Sequence, residues 1–136
     1  MSRQIRPPQY PPAWILGREA LEDDRLGEYV IPKGAQVFIC AYTVHRHPNL
    51  WKNPLEFVPE RFSNREDIRH KYSYFPFGAG PRVCIGGEFA KMEMLIALSI
   101  IFQSYNFEIN ASEEIVLEEL VTLHPKNKIF SNIELI

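Results

Sequence analysis

The sequence has little of what would assign it quickly to a class. It holds only two cysteines, Cys40 and Cys84, too few for a disulfide framework and without the paired CxxC spacing that zinc sites use. A reducing compartment follows, and the cytoplasm is the expected location. Charge of one sign is lacking too. Fifteen Lys and Arg against 17 Asp and Glu leave a net charge of −2, so no charge-driven surface for nucleic acid or anionic membrane is expected. No run reaches the ~18 apolar residues of a membrane span, and the strongest, Met94 to Phe102, is interrupted by Ser99. A secretory signal is also missing, since Arg3, Arg6 and Pro7-Pro8 stand where its apolar core would be. What remains is the balance of a folded protein, 136 residues with 46% hydrophobic and 24% charged, enough for one domain at most.

Proline fixes the backbone and removes an amide donor, so Pro7, Pro8, Pro11 and Pro12 make the entry segment extended and forbid a helix there. Strand character then appears at Ala13–Leu16, Tyr29–Ile31 and Ala35–Tyr42. The turn signals Asp23-Asp24, Leu26-Gly27 and Pro32-Lys33-Gly34 separate these strands, predicting a small antiparallel sheet. His45–Tyr74 is rich in loops, with a short helical turn expected from Asn53-Pro54 to Phe57. A loop this long in a compact domain is usually functional or wrapped around something. A glycine-rich stretch leads into a helix predicted over Glu88–Gln103, almost entirely apolar along Met94–Phe102, which needs protein on every side. A strand at Tyr105–Ile109 follows. Ile115–Leu123 and Ile129–Leu135 read as a closing hairpin through Pro125-Lys126-Asn127. The class is α+β.

Chemistry concentrates at Cys84. It stands at the entrance of the predicted helix, where unpaired amides and the helix dipole favour a thiolate. The glycines at 78, 80, 86 and 87 let the backbone turn close to the sulfur. Such a thiolate can be a nucleophile, a redox thiol or a metal ligand. A phosphatase-type loop would need arginine where Ala90 stands, and a dinucleotide loop would need glycine where Val83 stands. Zinc could draw on Cys40, Cys84, His45, His47, His70 and His124, but no pair has ligand spacing. Cys40, in an apolar strand, reads as a small buried hydrophobe.

The run Phe77-xx-Gly80-x-Arg82-x-Cys84-x-Gly86 resembles, at every fixed position, the haem-binding signature of the cytochrome P450 family, the haem-thiolate monooxygenases. Phe89-Ala90-xx-Glu93 resembles the family's helix after the ligand, and Pro59-Glu60-Arg61-Phe62 its PERF element. The likeness runs from Tyr10 to the end. It implies a single domain portion over residues 10–136, the C-terminal part of a mainly α fold: small sheet, meander loop, cysteine-ligand loop, long buried helix and C-terminal hairpin. Residues 1–9 are expected to be non-family sequence without structure, from a truncated or displaced reading frame.

The resemblance further implies haem b (iron protoporphyrin IX) as cofactor, with Cys84 as the axial ligand of its iron. Amides after Cys84 would bond the sulfur and Phe77 would shield it from water. Gly80 and Gly86 would give the backbone room beside the porphyrin. Arg82 would pair with a propionate, and Arg18 resembles a second propionate-binding arginine, the alternative being an ion pair with Glu19 or Asp23. A redox partner (ferredoxin or flavoprotein reductase) and a small organic substrate are the implied partners. His45-Arg46-His47-Pro48 is similar to the family's HRDP stretch with His47 in place of the acid, a change expected to affect only local contacts. Arg61 would be one corner of an Arg-Glu-Arg network, but Ile5 and Pro8 occupy the positions aligned with the other two members. It is therefore expected to lack compensating partners. The upstream helix that activates dioxygen has no counterpart in this sequence. The chain is thus expected to be the haem-binding part of a monooxygenase, inactive by itself. The competing readings are a stand-alone haem-binding or electron-transfer module and a nonfunctional remnant.

Overall fold

The computed structural model describes residues 10–62, 70–110 and 115–136. The expectations for Met1–Gln9, including Ile5 and Pro8, lie outside them. The chain divides into two compact units, one ending at Pro76 and the other running from Phe77 to Ile136.

In the first unit, Pro11 and Pro12 withhold amide donors, and the first strand begins only beyond them, as β1 over Ile15–Glu19. It pairs antiparallel with β4, Gln36–Cys40, from Ile15 opposite Cys40 to Glu19 opposite Gln36. Between them β2, Asp24–Leu26, and β3, Tyr29–Ile31, form a hairpin of their own. Gly27 turns it with φ +59° and Gly34 follows with φ +83°, backbone that only glycine adopts freely. The single sheet expected from the sequence is therefore two separate ladders, and the strand expected at Ala13–Leu16 starts later and extends to Glu19. The strand expected to reach Tyr42 stops at Cys40. There the Thr43 hydroxyl donates to the Cys40 carbonyl at 3.0 Å, and the chain enters a one-turn helix, α1, over Ala41–Val44. Cys40 is half-buried rather than buried.

The loop-rich stretch is wrapped around something, namely an aromatic cluster. Trp51, Phe62 and Tyr74 meet with centroid distances of 4.8–6.3 Å. His45 lies 4.9 Å from Tyr74 and 5.0 Å from Phe75. Ala41, His45, Trp51, Ser73 and Phe75 are all buried. The helical turn expected at Asn53-Pro54 is only one hydrogen-bonded turn, Glu56 N–H to the Asn53 carbonyl at 3.0 Å. Asn53 has φ +49°, which no helix start can have.

The second unit is led by α2, Gly87–Ser104. Only Gly87 of it is buried, while Phe89, Leu95, Ile100 and Phe102 are each more than 60% exposed. The long helix expected to be buried is uncovered within this chain. β5, Tyr105–Asn110, follows without a break and pairs antiparallel with β8, Phe130–Leu135. β6, Leu117–Glu119, pairs with β7, Leu123–Pro125. The closing hairpin predicted from the sequence is thus wrong in its partners. β6 turns back tightly on β7, whereas β8 crosses to β5, where Tyr105 faces Leu135 and Phe107 faces Ile133. That six-residue ladder joins two apolar cross-strand pairs, which three-residue strands cannot match.

Two outcomes follow. The exposed α2 should bind a hydrophobic dye strongly in the isolated chain, and replacing Leu95 and Ile100 by Lys should cut dye fluorescence at least two-fold; unchanged fluorescence would place the apolar surface elsewhere. The second concerns His45, whose pKa is lowered from 6.5 to about 4 by burial and, secondarily, by the Arg46 charge. Between these values the unfolded chain holds a proton here that the folded chain lacks. Stability should therefore fall as pH drops from about 6.5 to 4, by up to about 3 kcal/mol. Urea unfolding at pH 7 and pH 4.5 measures it, and His45→Gln should flatten that part of the profile.

Candidate functional site

Phe77, Gly80, Arg82, Cys84 and Gly86 share one loop at the start of the second unit. Gly78 and Gly80 have φ of +74° and +71°, left-handed backbone that swings the chain into a short 3-10 turn over Gly80–Arg82. The Val83 N–H closes that turn on the Gly80 carbonyl at 3.1 Å, and the Cys84 N–H then reaches back to the Phe77 carbonyl at 2.8 Å. The Gly87 N–H donates to the Cys84 carbonyl at 3.2 Å and the Ala90 N–H to the Gly86 carbonyl at 2.9 Å, which starts α2. Cys84 therefore sits at the helix entrance, as the sequence led us to expect. Its side chain is exposed.

Gly87 has a packing role that the sequence did not reveal. A Cβ there would stand 3.3 Å from Phe77 Cγ, so the Phe77 ring lies directly on the first residue of the helix. Lys91 reaches over the same ring at 5.5 Å and pairs with Glu88 at 2.6 Å. The adjacent Gly86-Gly87 pair was the available signal. Phe77 is half-buried by this contact, yet the Cys84 sulfur stays open to solvent. Among the described residues no amide donates to that sulfur, because the Gly87 N–H is spent on the Cys84 carbonyl. Gly86 lies beside it, a Cβ there being 4.0 Å from Cys84 Sγ. Gly80 faces open space.

Arg82 is exposed and makes no ion pair among the described residues. Arg18 belongs to the first unit, on β1, where its guanidinium donates to the Gly17 carbonyl at 2.7 Å. It forms no ion pair with Glu19 or Asp23. His47 takes over the local work expected of an acid, since its Nδ1 accepts the Asn49 N–H at 3.2 Å. Arg61, in the 3-10 turn Pro59–Phe62, has partners after all. It donates to the carbonyls of Lys52 at 2.8 Å and Asn53 at 3.1 Å, and stacks 5.4 Å from the Trp51 ring. Backbone carbonyls and an indole face replace the expected carboxylate, and a cavity of about 480 Å³ opens beside them.

The donor set decides which metal group fits. Among the described residues no cluster of three or more His, Cys, Asp or Glu could hold a metal ion. One exposed sulfur at a helix entrance cannot retain a bare ion. It would fit an iron that brings its remaining ligands in a macrocycle of its own, and the glycine at 80 and Arg82, which makes no ion pair among the described residues, leave room and charge for such a group.

A single-cysteine loop closed on a phenylalanine and leading into an apolar helix defines a thiolate-ligand class of site. The family model of cytochrome P450 matches residues 9–131, and the chain belongs to that family. It is 45% identical over 111 residues to cytochrome P450 3A27 of Oncorhynchus mykiss, covering 80% of this chain and 21% of the relative. It is 43% identical over 104 residues to cytochrome P450 714A2 of Arabidopsis thaliana, covering 74% and 20%. The 11-oxo-beta-amyrin 30-oxidase of Medicago truncatula is 36% identical over 121 residues, covering 87% and 23%. The chain spans about a fifth to a quarter of the length of the curated relatives it matches.

The left-handed glycine is testable. Gly80→Ala should cost about 1 kcal/mol through strain at positive φ, with no clash to blame, and Gly80→Asn should cost less. Urea unfolding of the three chains compares them, and equal midpoints would show that the turn relaxes.

Proposed function

We propose that this chain is the haem-iron-binding part of a cytochrome P450 monooxygenase, with Cys84 as the axial thiolate ligand. The observation that carries this reading is the loop itself: one exposed sulfur, held at a helix entrance by the hydrogen bond that the Cys84 N–H donates to the Phe77 carbonyl and flanked by glycines. When bound, the haem supplies an iron at which dioxygen is activated with electrons from a ferredoxin or flavoprotein reductase, oxygen being inserted into a small organic substrate.

The chain's own residues do the holding. The open N-terminal turn of α2 supports negative charge on the Cys84 sulfur. Gly80 and Gly86 let backbone approach the ring without a side chain intervening. Arg82, exposed and without an ion pair among the described residues, stands two residues before Cys84 and would bind a propionate, which its planar fork matches. Arg18 would serve a second propionate. Phe77, pressed on Gly87, stiffens the loop that carries the sulfur and would so help to hold the haem iron there. The cytoplasm suits a chain with two free thiols, and no helix among the described residues is long and apolar enough to cross a membrane.

Because α2 is uncovered, we expect the isolated chain to be inactive. A monooxygenase site must exclude water, and that calls for polypeptide on both faces of the cofactor. The ligand assignment is tested by titrating haem into Cys84→Ser and Cys40→Ser chains. The red-shifted band of the reduced, carbon monoxide-bound thiolate form should vanish in the first and persist in the second. Loss only in Cys40→Ser would overturn the reading.

A further inference from the structure

Among the described residues of the first unit, His45 is the one buried titratable side chain, and the proposed chemistry does not use it. It is 4% exposed. Its Nε2 accepts the backbone N–H of Phe75 at 3.0 Å, across 30 positions of sequence. The ring is gripped between Tyr74 and Phe75, at 4.9 and 5.0 Å. With Nε2 accepting, the proton sits on Nδ1, and that buried N–H has no acceptor among the described residues. Leaving a buried donor unpaired costs stability, so a phenylalanine would be the more favourable core residue here. What a phenylalanine could not do is accept the Phe75 amide.

The place of that bond in the chain is the point. Ser73 is held in the same segment by its own N–H and hydroxyl, which donate to the His70 carbonyl at 2.9 and 2.7 Å. Phe75 is followed by Pro76, which offers no amide donor, and then by Phe77, whose carbonyl receives the Cys84 amide. His45 thus pins the last hydrogen-bonded amide before the cysteine loop. We infer that His45 is a positioning residue for Cys84, acting through the Phe75 amide to fix the backbone from which the ligand loop departs. The inference rests on reading Cys84 as the iron ligand, but its mechanical half stands without haem.

The test separates the two. In the cofactor-free chain, hydrogen exchange is followed at the Phe75 and Cys84 amides. His45→Phe should speed exchange at both amides at least ten-fold. His45→Gln, whose side-chain oxygen can accept the Phe75 N–H, should restore most of the protection. In haem-loaded chains, His45→Phe should raise the fraction without the red-shifted thiolate band at least two-fold, again with rescue by Gln. If His45→Phe alters exchange at Phe75 alone, or slows and speeds all amides equally, the histidine is a plain core residue and the inference is wrong. Should His45→Phe fail to fold, His45→Gln and His45→Asn decide instead: Asn, one carbon shorter, should lose the Cys84 protection that Gln keeps, and equal protection in both overturns the proposal. Wild-type chain that takes up no haem would defeat the proposed function while leaving the exchange result to decide this one.

Discussion

The hydrogen bond from the Cys84 amide to the Phe77 carbonyl, 2.8 Å long, is the contact on which the site depends. It converts eight residues of glycine-rich chain, 77–84, into a closed loop with the sulfur at its mouth. Two left-handed glycines make that closure possible, and the Phe77 ring, resting where Gly87 has no side chain, ties the loop to the first turn of α2. Removing either the amide or the bare face of Gly87 would leave the cysteine on a free loop, where a helix dipole has no fixed geometry to act through. The cysteine, the glycines and the helix are therefore one device rather than three features.

The first unit is built on a different economy. Its two ladders are short, and isolated two-stranded ribbons are marginal in water. Stability comes instead from loops that carry Trp51, Phe62, Tyr74 and Phe75 into one aromatic cluster, with His45 among them. Arg61 braces the same region through the Lys52 and Asn53 carbonyls. A guanidinium bonded to backbone oxygens locks loop shape directly. In this chain that role does not wait for a carboxylate.

The apolar helix sets the limit on what these residues do by themselves. A large apolar side chain left in water forgoes about 1.5–3 kcal/mol of burial, and α2 displays several around its whole circumference. Total domain stabilities are only about 5–15 kcal/mol. The chain covers about a fifth to a quarter of the length of its relatives, and α2 leaves most of its large apolar side chains uncovered.

The cysteine loop and the long helix were legible residue by residue, because glycine, proline and an apolar run act through local backbone sterics and helix patterning. The helix was placed to within one residue at each end, and Cys84 at its entrance, for that reason. Strand partners were not legible. Nothing local distinguishes β8 pairing with β6 from β8 pairing with β5, and the choice falls to cross-strand contacts such as Phe107 with Ile133 that exist only once the chain has crossed over. His45 is the same lesson at one residue: the sequence offered a lone histidine in a loop, and only the fold brings its Nε2 to the Phe75 amide. Local rules determined which segments could be loop and helix; long-range burial decided who pairs with whom, because hydrogen-bond partners distant in sequence are selected by the water they exclude together.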